Sequence, residues 1–391
     1  MKSDWNECSL GDALCLTIDH RGLTPKKLGG DWASEGYRAL SAKNVKTGRI
    51  VQPESIRFVS EDMYQRWMPE EIEYGDILIT SEAPFGEIYQ WNSDEKIVLS
   101  QRLFGVRVSD TFCADYIYYY MTTDAFQGEM HSRATGTTVI GLRQPELLKC
   151  KVCYPEIKQQ RVIAGILRAI DNKIQLNEEI NDNLSDQIQA IYSNEFDPTT
   201  HTPTGALADI CSYSSDRIPV AELSASTYFS TENMQPNKLG SVDATSLPSI
   251  SQTTGCHNGD VLVSNIRPYF KKIVYVTDDC CGCSTDVLCF VPKEKQYSAF
   301  LFGTLYMDRF FKYMVAGSKG TKMPRGDKKQ IMNYPIVLPD KESLALFNDL
   351  TVPMLEQIAT NRMESSRLAS LRDALLPKLM SGELDVSELD L

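Results

Sequence analysis

Two pairs of cysteines have the spacing of a thiolate metal site. Cys150/Cys153 and Cys280/Cys283 are each separated by two residues, and each pair could supply half of a four-ligand zinc centre. Because the pairs are far apart in sequence, the fold would have to bring them together. The alternative is that Cys150 and Cys153 are small apolar residues of a strand and that the second cluster is a turn. Spacing alone supports the metal site, so we predict none.

Three other features resemble catalytic motifs and depart from them. Residues 82–85, Glu-Ala-Pro-Phe, resemble a base-methyltransferase motif but lack its first proline, and the loop 317–322 lacks the GxxxxGK[ST] spacing of a phosphate-binding loop. The four histidines are scattered, and none belongs to a ligand motif. The sequence therefore favours a protein without a catalytic site. A DNA-modifying enzyme, either a methyltransferase or a nuclease, remains the alternative.

Cations are concentrated in one short loop of an acidic chain. The 391 residues carry a formal net charge of −12, which disfavours phosphate binding, while the segment 319–329 holds a run of lysines and an arginine. A basic patch on an acidic protein can still bind nucleic acid. No export signal and no stretch of roughly 18 apolar residues is present in the sequence, so we expect a cytoplasmic protein with no membrane contact.

An internal repeat determines the architecture. Gly75 and Gly259 begin similar Gly-Asp-(apolar)₃ segments, 184 residues apart, and the same offset relates Ser100 to Ser284 and Gly136 to Gly320. A constant offset predicts two copies of one fold. Short β-branched runs broken by Gly and Pro alternate with an aromatic helix, predicted over residues 115–126 and, in the second copy, 297–311. An α+β domain is the natural class for each copy.

A long helix is predicted to follow each domain. From Pro155 to residue 191 the only Gly or Pro is Gly165, and a seam of apolar residues repeats every seven positions. The same seam, less regular, recurs 184 residues later. The seam residues that we expect to form an antiparallel intramolecular coiled coil are Ile163, Ile170, Ile174, Asn177, Leu184, Ile358, Asn361 and Leu368. Two separate surface helices are the alternative.

Polar residues within the seams carry specific expectations. Asn177 and Asn361 occupy equivalent positions, and a buried Asn fixes coiled-coil register, so we expect the two to meet. In the second helix Thr351, Ser365 and Arg372 weaken the seam. Pro353 removes a helical hydrogen bond, so a break or kink is expected near residues 351–353.

Two matched domains on a pair of long helices would act as a caliper. A helix of about 35 residues spans about 50 Å, and an antiparallel pair with pseudo-twofold symmetry would place one domain at each end. The predicted boundaries are 1–154 for the first domain, 155–196 for its helix, 197–339 for the second domain and 340–391 for the second helix and tail. Such an object could meet two separated stretches of one duplex.

The sequence also resembles a known family. Residues 159–174, QQRVIAGILRAIDNKI, and the tail 371–384, LRDALLPKLMSGEL, are similar to segments of the specificity subunit of type I restriction-modification enzymes, and the duplication is shared. The resemblance implies a DNA-binding subunit that reads a bipartite asymmetric target. It also implies two methyltransferase subunits docked on the helices and two motor-nuclease subunits. S-adenosylmethionine, ATP and Mg would then belong to those partners, with no cofactor in this chain.

Loop residues are the candidates for DNA contact, because base edges are read by side chains and phosphates by cations. The first group follows the Gly-Asp strands: Ser81, Glu82, Phe85, Asn265, Arg267, Tyr269, Lys271 and Lys272. The second lies in the Gly-Thr loops: Arg133, Thr137, Thr138, Arg143, Lys319, Thr321, Lys322 and Arg325. The third lies in a polar turn: Ser41, Lys43 and Asn44. Lys271 and Lys272 are favoured as phosphate contacts, since they form a doubled cation beside an aromatic residue.

A protein-interaction scaffold is a second alternative to DNA reading. The acidic composition and the coiled coil favour a scaffold, while divergent loops on a duplicated frame favour two DNA half-sites. Salt dependence would separate the two, since DNA affinity falls steeply as salt is added.

Overall fold

The computed structural model describes residues 5–136 and 138–387 and divides the chain into two compact units. The first unit combines residues 1–174 with residues 366–391, and the second comprises residues 175–365. Each unit therefore contains one α+β domain and a part of each long helix. In the described residues, no helix has both the length and the apolar character that crossing a bilayer requires.

The first unit begins with short strands and helices. Its strands are Asn6–Ser9, Leu14–Ile18, Tyr37–Leu40, Val45–Lys46, Arg49–Ile50, Arg57–Val59, Ile77–Ser81, Phe85–Gln90, Ile97–Leu99, Leu103–Val108 and Lys151–Tyr154. Its helices before the long one are Leu10–Ala13, Glu61–Trp67, Ala114–Met121, Asp124–Arg133 and Gln144–Leu147, with 3₁₀ turns at Ala42–Asn44 and Pro53–Ser55.

The second unit repeats this organisation. Its strands are Gly205–Ala206, Cys211–Tyr213, Arg217–Pro219, Tyr228–Phe229, Gln252–Cys256, Val261–Ser264, Ile273–Tyr275, Cys281–Cys283, Val287–Pro292 and Pro335–Ile336. Its helices are Leu207–Ile210, Ser298–Tyr306, Asp308–Ala316 and Lys328–Met332, with 3₁₀ turns at Val220–Glu222, Pro268–Phe270 and Lys295–Tyr297.

Equivalent strands build the main sheet of each unit in the same antiparallel order. In the first unit the order is Leu14–Ile18, Leu103–Val108, Ile77–Ser81, Phe85–Gln90. In the second it is Cys211–Tyr213, Val287–Pro292, Val261–Ser264, Ile273–Tyr275. The predicted duplication is therefore confirmed as a duplication of fold, with the Gly-Asp segments leading into the central strands.

A smaller sheet lies beside each main sheet. In the first unit Tyr37–Leu40 pairs in parallel with Ile97–Leu99, and in the second Tyr228–Phe229 pairs in parallel with Cys281–Cys283. The strand Cys281–Cys283 replaces the turn expected there. Cys281 and Cys283 are buried in the core of their unit, while Cys280 is exposed.

The aromatic helices are each split in two. The predicted helix 115–126 ends at Met121, and a new helix starts at Asp124 because Thr123 caps it, its hydroxyl accepting from the Phe126 N–H at 3.3 Å. The predicted helix 297–311 is likewise divided at Met307. The single aromatic helix expected in each copy is therefore wrong; in the first copy a side-chain cap starts a separate second helix.

The long helices are Ile157–Phe196 and Lys341–Met380. Within the second unit they run antiparallel, because the Tyr192 ring lies 6.2 Å from Phe347 while Asn177 bonds to Ser365 at 3.2 Å. The break expected at Pro353 is wrong: the helix is continuous. Pro353 and Asp349, whose carbonyl loses its partner, both lie on the exposed face, where water can bind that carbonyl.

The polar seam residues have partners inside each unit. Asn177 Nδ2 donates to the Asn361 carbonyl at 3.4 Å, so the expected Asn pair meets directly, and Asn361 Nδ2 also donates to Asn181 Oδ1 at 2.9 Å. In the first unit Arg372 binds Asp171 at 2.8 Å. Ser365 and Arg372, which were expected to weaken the seam, thus supply specific contacts between the helices, while Thr351 bonds to the Phe347 carbonyl of its own helix.

Seam residues are also part of the domain cores. Ile163 and Leu167 are fully buried in the first unit's core, and Ile358 is buried in the second unit's core with Leu184 packed against it. Ile170 is buried, whereas Ile174 and Leu368 are partly exposed. Burial of one side chain contributes roughly 1.5–3 kcal/mol, so each helix end is fixed to the domain of its own unit.

Candidate nucleic-acid interface

A loop frame of three positions recurs at the end of both central hairpins. It consists of Glu82, Arg102 and Gly141 in the first unit and of Ile266, Asp286 and Arg325 in the second, each pair 184 residues apart. We use the name loop frame for these positions throughout. Their side chains differ in type at every position.

Equivalent backbone hydrogen bonds hold the loop frame in both units. Ser81 N–H donates to the Arg102 carbonyl at 2.8 Å, as Asn265 N–H donates to the Asp286 carbonyl at 2.8 Å. β-Bridges join Glu82 to Gly141 and Ile266 to Arg325. The loops after the Gly-Asp strands and the Gly-Thr loops, predicted as two separate groups, are therefore neighbours in each unit.

The Gly-Thr loops close in the same way in both units. Thr135 and Gly141 exchange two backbone hydrogen bonds of 2.9 Å, and Lys319 and Arg325 exchange bonds of 2.9 and 3.0 Å. Gly136 has φ +115°, and a Cβ there would lie 2.1 Å from the Val139 carbonyl oxygen. A side chain cannot occupy that position, which explains the glycine that begins the motif.

The third predicted group meets the loop frame of the first unit in a shared cleft. This cleft, of about 310 Å³, is lined by Ser41, Lys43, Ala83, Arg57, Gln101 and Arg102, among others. Lys43 and Arg57 are exposed at its rim. The structure thus brings all three candidate groups together in the first unit.

Three predicted readers do not present their side chains to solvent. Asn44 is fully buried, where its Oδ1 accepts from Ser41 Oγ at 2.9 Å and its Nδ2 donates to Ser55 Oγ at 2.9 Å. Ser81 lies on a buried strand, and Asn265 is 8% exposed with its Oδ1 beside Gly326. We correct the assignment of base contacts to Asn44, Ser81 and Asn265, because each is enclosed by its own turn or strand.

Several predicted cations are bound to protein groups. Lys271 Nζ lies 2.8 Å from Asp308, and Lys272 Nζ donates to the Thr231 carbonyl at 2.5 Å. Burial lowers the pKa of Lys272. Arg133 binds Glu129 at 3.0 Å, where it lies at the end of a helix. These partners weaken the case for Lys272, whose ammonium is bound to a carbonyl, while phosphate contact by Lys271 stays a prediction.

Other candidates remain at the surface. Thr138, Arg143, Thr321 and Lys322 are exposed, and Tyr269 is 49% exposed and packs at a tilt against Phe270. Lys319 is also exposed, and its hydrogen bond lowers the pKa of Asp327 to about 2. Thr137 lies outside the described residues.

Two aromatic or strained positions have structural roles as well. Phe85 packs on the core and lies 4.7 Å from the His131 ring. Arg267 has φ +49°, close to the φ of +43° at the equivalent Ala83, and both precede a proline. The left-handed backbone before the proline is therefore shared by the copies, while the side chain at this position and the element that follows differ.

Sequence reasoning missed Arg57, on its own short strand, and the residues that follow strands Ile97–Leu99 and Cys281–Cys283. Arg57, Gln101 and Arg102 line the cleft, and Asp286 forms an ion pair in the second loop frame. The equivalence of Ser100 and Ser284 was the available signal, because the loop that each begins carries Arg102 or Asp286. Among the described residues, no cluster of three or more His, Cys, Asp or Glu side chains could hold a metal ion.

Comparison with known proteins defines the class. A family profile described as the type I restriction modification DNA specificity domain matches residues 2–186. The type I restriction enzyme MjaIX specificity subunit of Methanocaldococcus jannaschii is 26% identical over 358 residues, covering 81% of this chain and 79% of that protein. The HindI specificity subunit of Haemophilus influenzae is 30% identical over 95 residues, which is 24% of this chain and 21% of that protein.

A solved structure shares the fold. The type I restriction-modification S subunit from M. genitalium superposes with a TM-score of 0.59 at 16% identity, covering 96% of each chain. The duplicated α+β domains and long helices are therefore a fold that this chain shares with that S subunit. Residues 2–186 thus match the type I specificity domain, and the chain as a whole is similar to type I restriction enzyme specificity subunits.

Proposed function

We propose that this subunit reads a bipartite, asymmetric sequence in double-stranded DNA, one half-site through each domain. The assignment of the half-sites to residues 1–154 and 197–339 is part of the proposal. The repeated loop frame carries it: the same backbone bonds hold different side chains in the two units. Two unequal half-sites approached in equivalent ways require such equal frames with unequal contact residues.

The long helices are proposed to dock two methyltransferase subunits, to which two motor-nuclease subunits add. Large apolar side chains on the helices support this, since exposed apolar surface marks partner contacts. Those in the second unit, between 37% and 63% exposed, are Leu176, Ile180, Leu346, Leu350 and Met363. Adenine methylation and ATP-driven cleavage, with S-adenosylmethionine, ATP and Mg, are assigned to the partners.

Sequencing of methylated DNA tests the proposal. The subunit is co-expressed with its methyltransferase, and methylated adenines are mapped across a genome that lacks other adenine methylation. We expect a motif of two short specified halves around an unspecified spacer. Replacing residues 175–365, which hold the second domain and the helical segments in its core, with the equivalent residues of another specificity subunit should change one half only. A continuous motif, or DNA modification by this chain alone, would contradict the proposal.

A further inference from the structure

The loop frame contains an arginine–carboxylate ion pair in both units, but at different positions. In the first unit Arg102 Nε lies 2.8 Å from Glu82 Oε1. In the second, Arg325 Nη2 lies 2.8 Å from Asp286 Oδ1. The arginine has moved from the second frame position to the third, and the acid from the first to the second.

Steric exclusion between the first and third frame positions explains why their residues change together from one unit to the other. Gly141 has no side chain, and a Cβ there would meet Glu82 Oε2 at 3.3 Å, so the acid occupies space that a third-position side chain would need. In the second unit the first position is Ile266, which bears no charge, and the third carries Arg325. The frame thus holds one guanidinium and one carboxylate, arranged differently, on the same backbone.

Fold stability does not require these pairs. The Arg102 and Arg325 side chains are 49% and 55% exposed, and their acids are each 36% exposed. An ion pair at such a surface stabilises a protein by about 0–1 kcal/mol. Each arginine also lies beside other exposed cations or polar groups: Lys43 and Gln101 around Arg102, Lys319 and Lys322 near Arg325.

We propose that Arg102 and Arg325 read guanine, one in each half-site, and that Glu82 and Asp286 orient them before DNA is bound. This rests on the proposed function. A guanidinium fork pairs with O6 and N7 of guanine through two hydrogen bonds, a geometry that an ammonium group does not match. The paired carboxylate repels phosphate, so the arginine is directed to base edges rather than to the DNA backbone.

Methylation mapping of single variants tests the assignment. Arg102→Ala should lower the preference for guanine at one position of one half-site by about 10- to 100-fold, and Arg325→Ala should do the same in the other half. Arg102→Lys keeps the charge but loses the fork, so it should lose the guanine preference while retaining most of the DNA affinity. Arg66→Ala, which removes an exposed arginine paired with Asp62 on the helix Glu61–Trp67, is the control and should leave the motif unchanged.

The acids provide an independent measurement. Glu82→Gln and Asp286→Asn should each raise affinity for unrelated DNA about 3- to 10-fold, because a charge that repels phosphate is removed. An unchanged motif with Arg102→Ala and Arg325→Ala overturns the assignment, as does retention of the guanine preference by Arg102→Lys. If the unsubstituted complex yields no bipartite motif, the proposed function itself fails.

Discussion

Two buried aspartates show how one residue type serves two environments at equivalent positions. Asp76 and Asp260 are each 2% exposed, and each accepts a backbone N–H three residues earlier at 2.8 Å, from Glu73 and His257 respectively. Asp76 also binds Arg107 through two hydrogen bonds of 2.9 Å. In the described part of the chain, Asp260 has no arginine partner of this kind and instead accepts from the Cys289 thiol at 3.5 Å. A paired arginine thus compensates the charge of the carboxylate in the first unit, and no described arginine does so in the second.

Asp76→Asn should destabilise the first unit. Removing one member of a buried ion pair costs about 3–5 kcal/mol, and because Arg107 is 26% exposed we expect about 2–3 kcal/mol. The four tryptophans all lie within the first 91 residues, so tryptophan fluorescence during urea unfolding reports on this unit. A loss below about 0.5 kcal/mol would contradict the structural role of the pair.

Asp260→Asn should instead remove a pH dependence from the second unit. Burial raises the pKa of Asp260, so its contribution to stability is present below pH 3.8 and is lost as pH rises through the folded-state pKa. Relative to Asp260→Asn, the unsubstituted protein should lose stability as the pH rises from 3.8 through the folded-state pKa of Asp260. Hydrogen exchange in strand Val261–Ser264, corrected for intrinsic rates, measures the difference. Parallel pH profiles would contradict the expectation.

At the scale of elements, helix Ser298–Tyr306 depends on close approach to both long helices. Built on Gly303, a Cβ would lie 2.9 Å from Tyr192 Cδ2 and 3.3 Å from Phe347 Cζ. The Tyr192 and Phe347 rings also pack against Phe300. The glycine therefore allows the domain helix to contact an aromatic cluster formed by the paired helices of its unit.

Gly303→Ala should lower the free energy of unfolding of the second unit by about 1–3 kcal/mol, because an added methyl overpacks this contact. Gly128→Ala is the matched control, since nothing lies within 4 Å of a Cβ there and alanine favours a helix by roughly 1 kcal/mol. Calorimetric unfolding of both variants measures whether Gly303→Ala lowers the free energy of unfolding and Gly128→Ala raises it. If both variants were stabilised equally, the aromatic cluster would be shown to accommodate the added methyl group at no cost in free energy, which would contradict the prediction.

Most helices and strands could be predicted because the repeat provides two different sequences for one fold, so each pattern can be compared between the copies. The strand Leu103–Val108 and the main course of both long helices follow from apolar patterning. The caps were not predicted: Thr123 ends a helix that looked continuous, and Asn44 turns inward in a Ser-x-x-Asn turn. Polar residue types indicate a turn, but they do not indicate whether the side chain bonds to its own backbone or faces solvent.

The sequence predicted which loops form the candidate interface, but it predicted less well which side chains of those loops are available for contact. The repeat located both halves of the loop frame, and Arg325 was among the candidates. Arg102 was missed because its neighbours in space, Glu82 and Gly141, are distant in sequence. Lys272 was overvalued because a charge in a sequence does not reveal a carbonyl placed to bind it.

At the scale of the whole molecule, a net charge of −12 coexists with exposed cations in the loops. The affinity of the methyltransferase complex for DNA should therefore fall with added salt, with a slope of about −0.9 per phosphate neutralised. Lys322→Ala should reduce that slope by about 1 without changing the methylated motif. Lys293→Ala, beyond the opposite end of strand Val287–Pro292, should alter neither. Binding titrations at several salt concentrations measure these slopes. If Lys322→Ala leaves the slope unchanged, Lys322 does not contact a phosphate in the interface.

The second unit is a single stretch of chain, residues 175–365, whereas the first is made from both ends of the chain. If recombination exchanged residues 175–365, with both crossovers inside the long helices, the exchanged segment would contain both Asn177 and its partner Ser365. Asp171 and its partner Arg372 would both stay in the rest of the chain. Splicing at the domain edges would instead separate each domain from the helical segments that it packs against. Crossovers inside the helices are thus the exchanges that transfer a half-site with every one of these pairings intact.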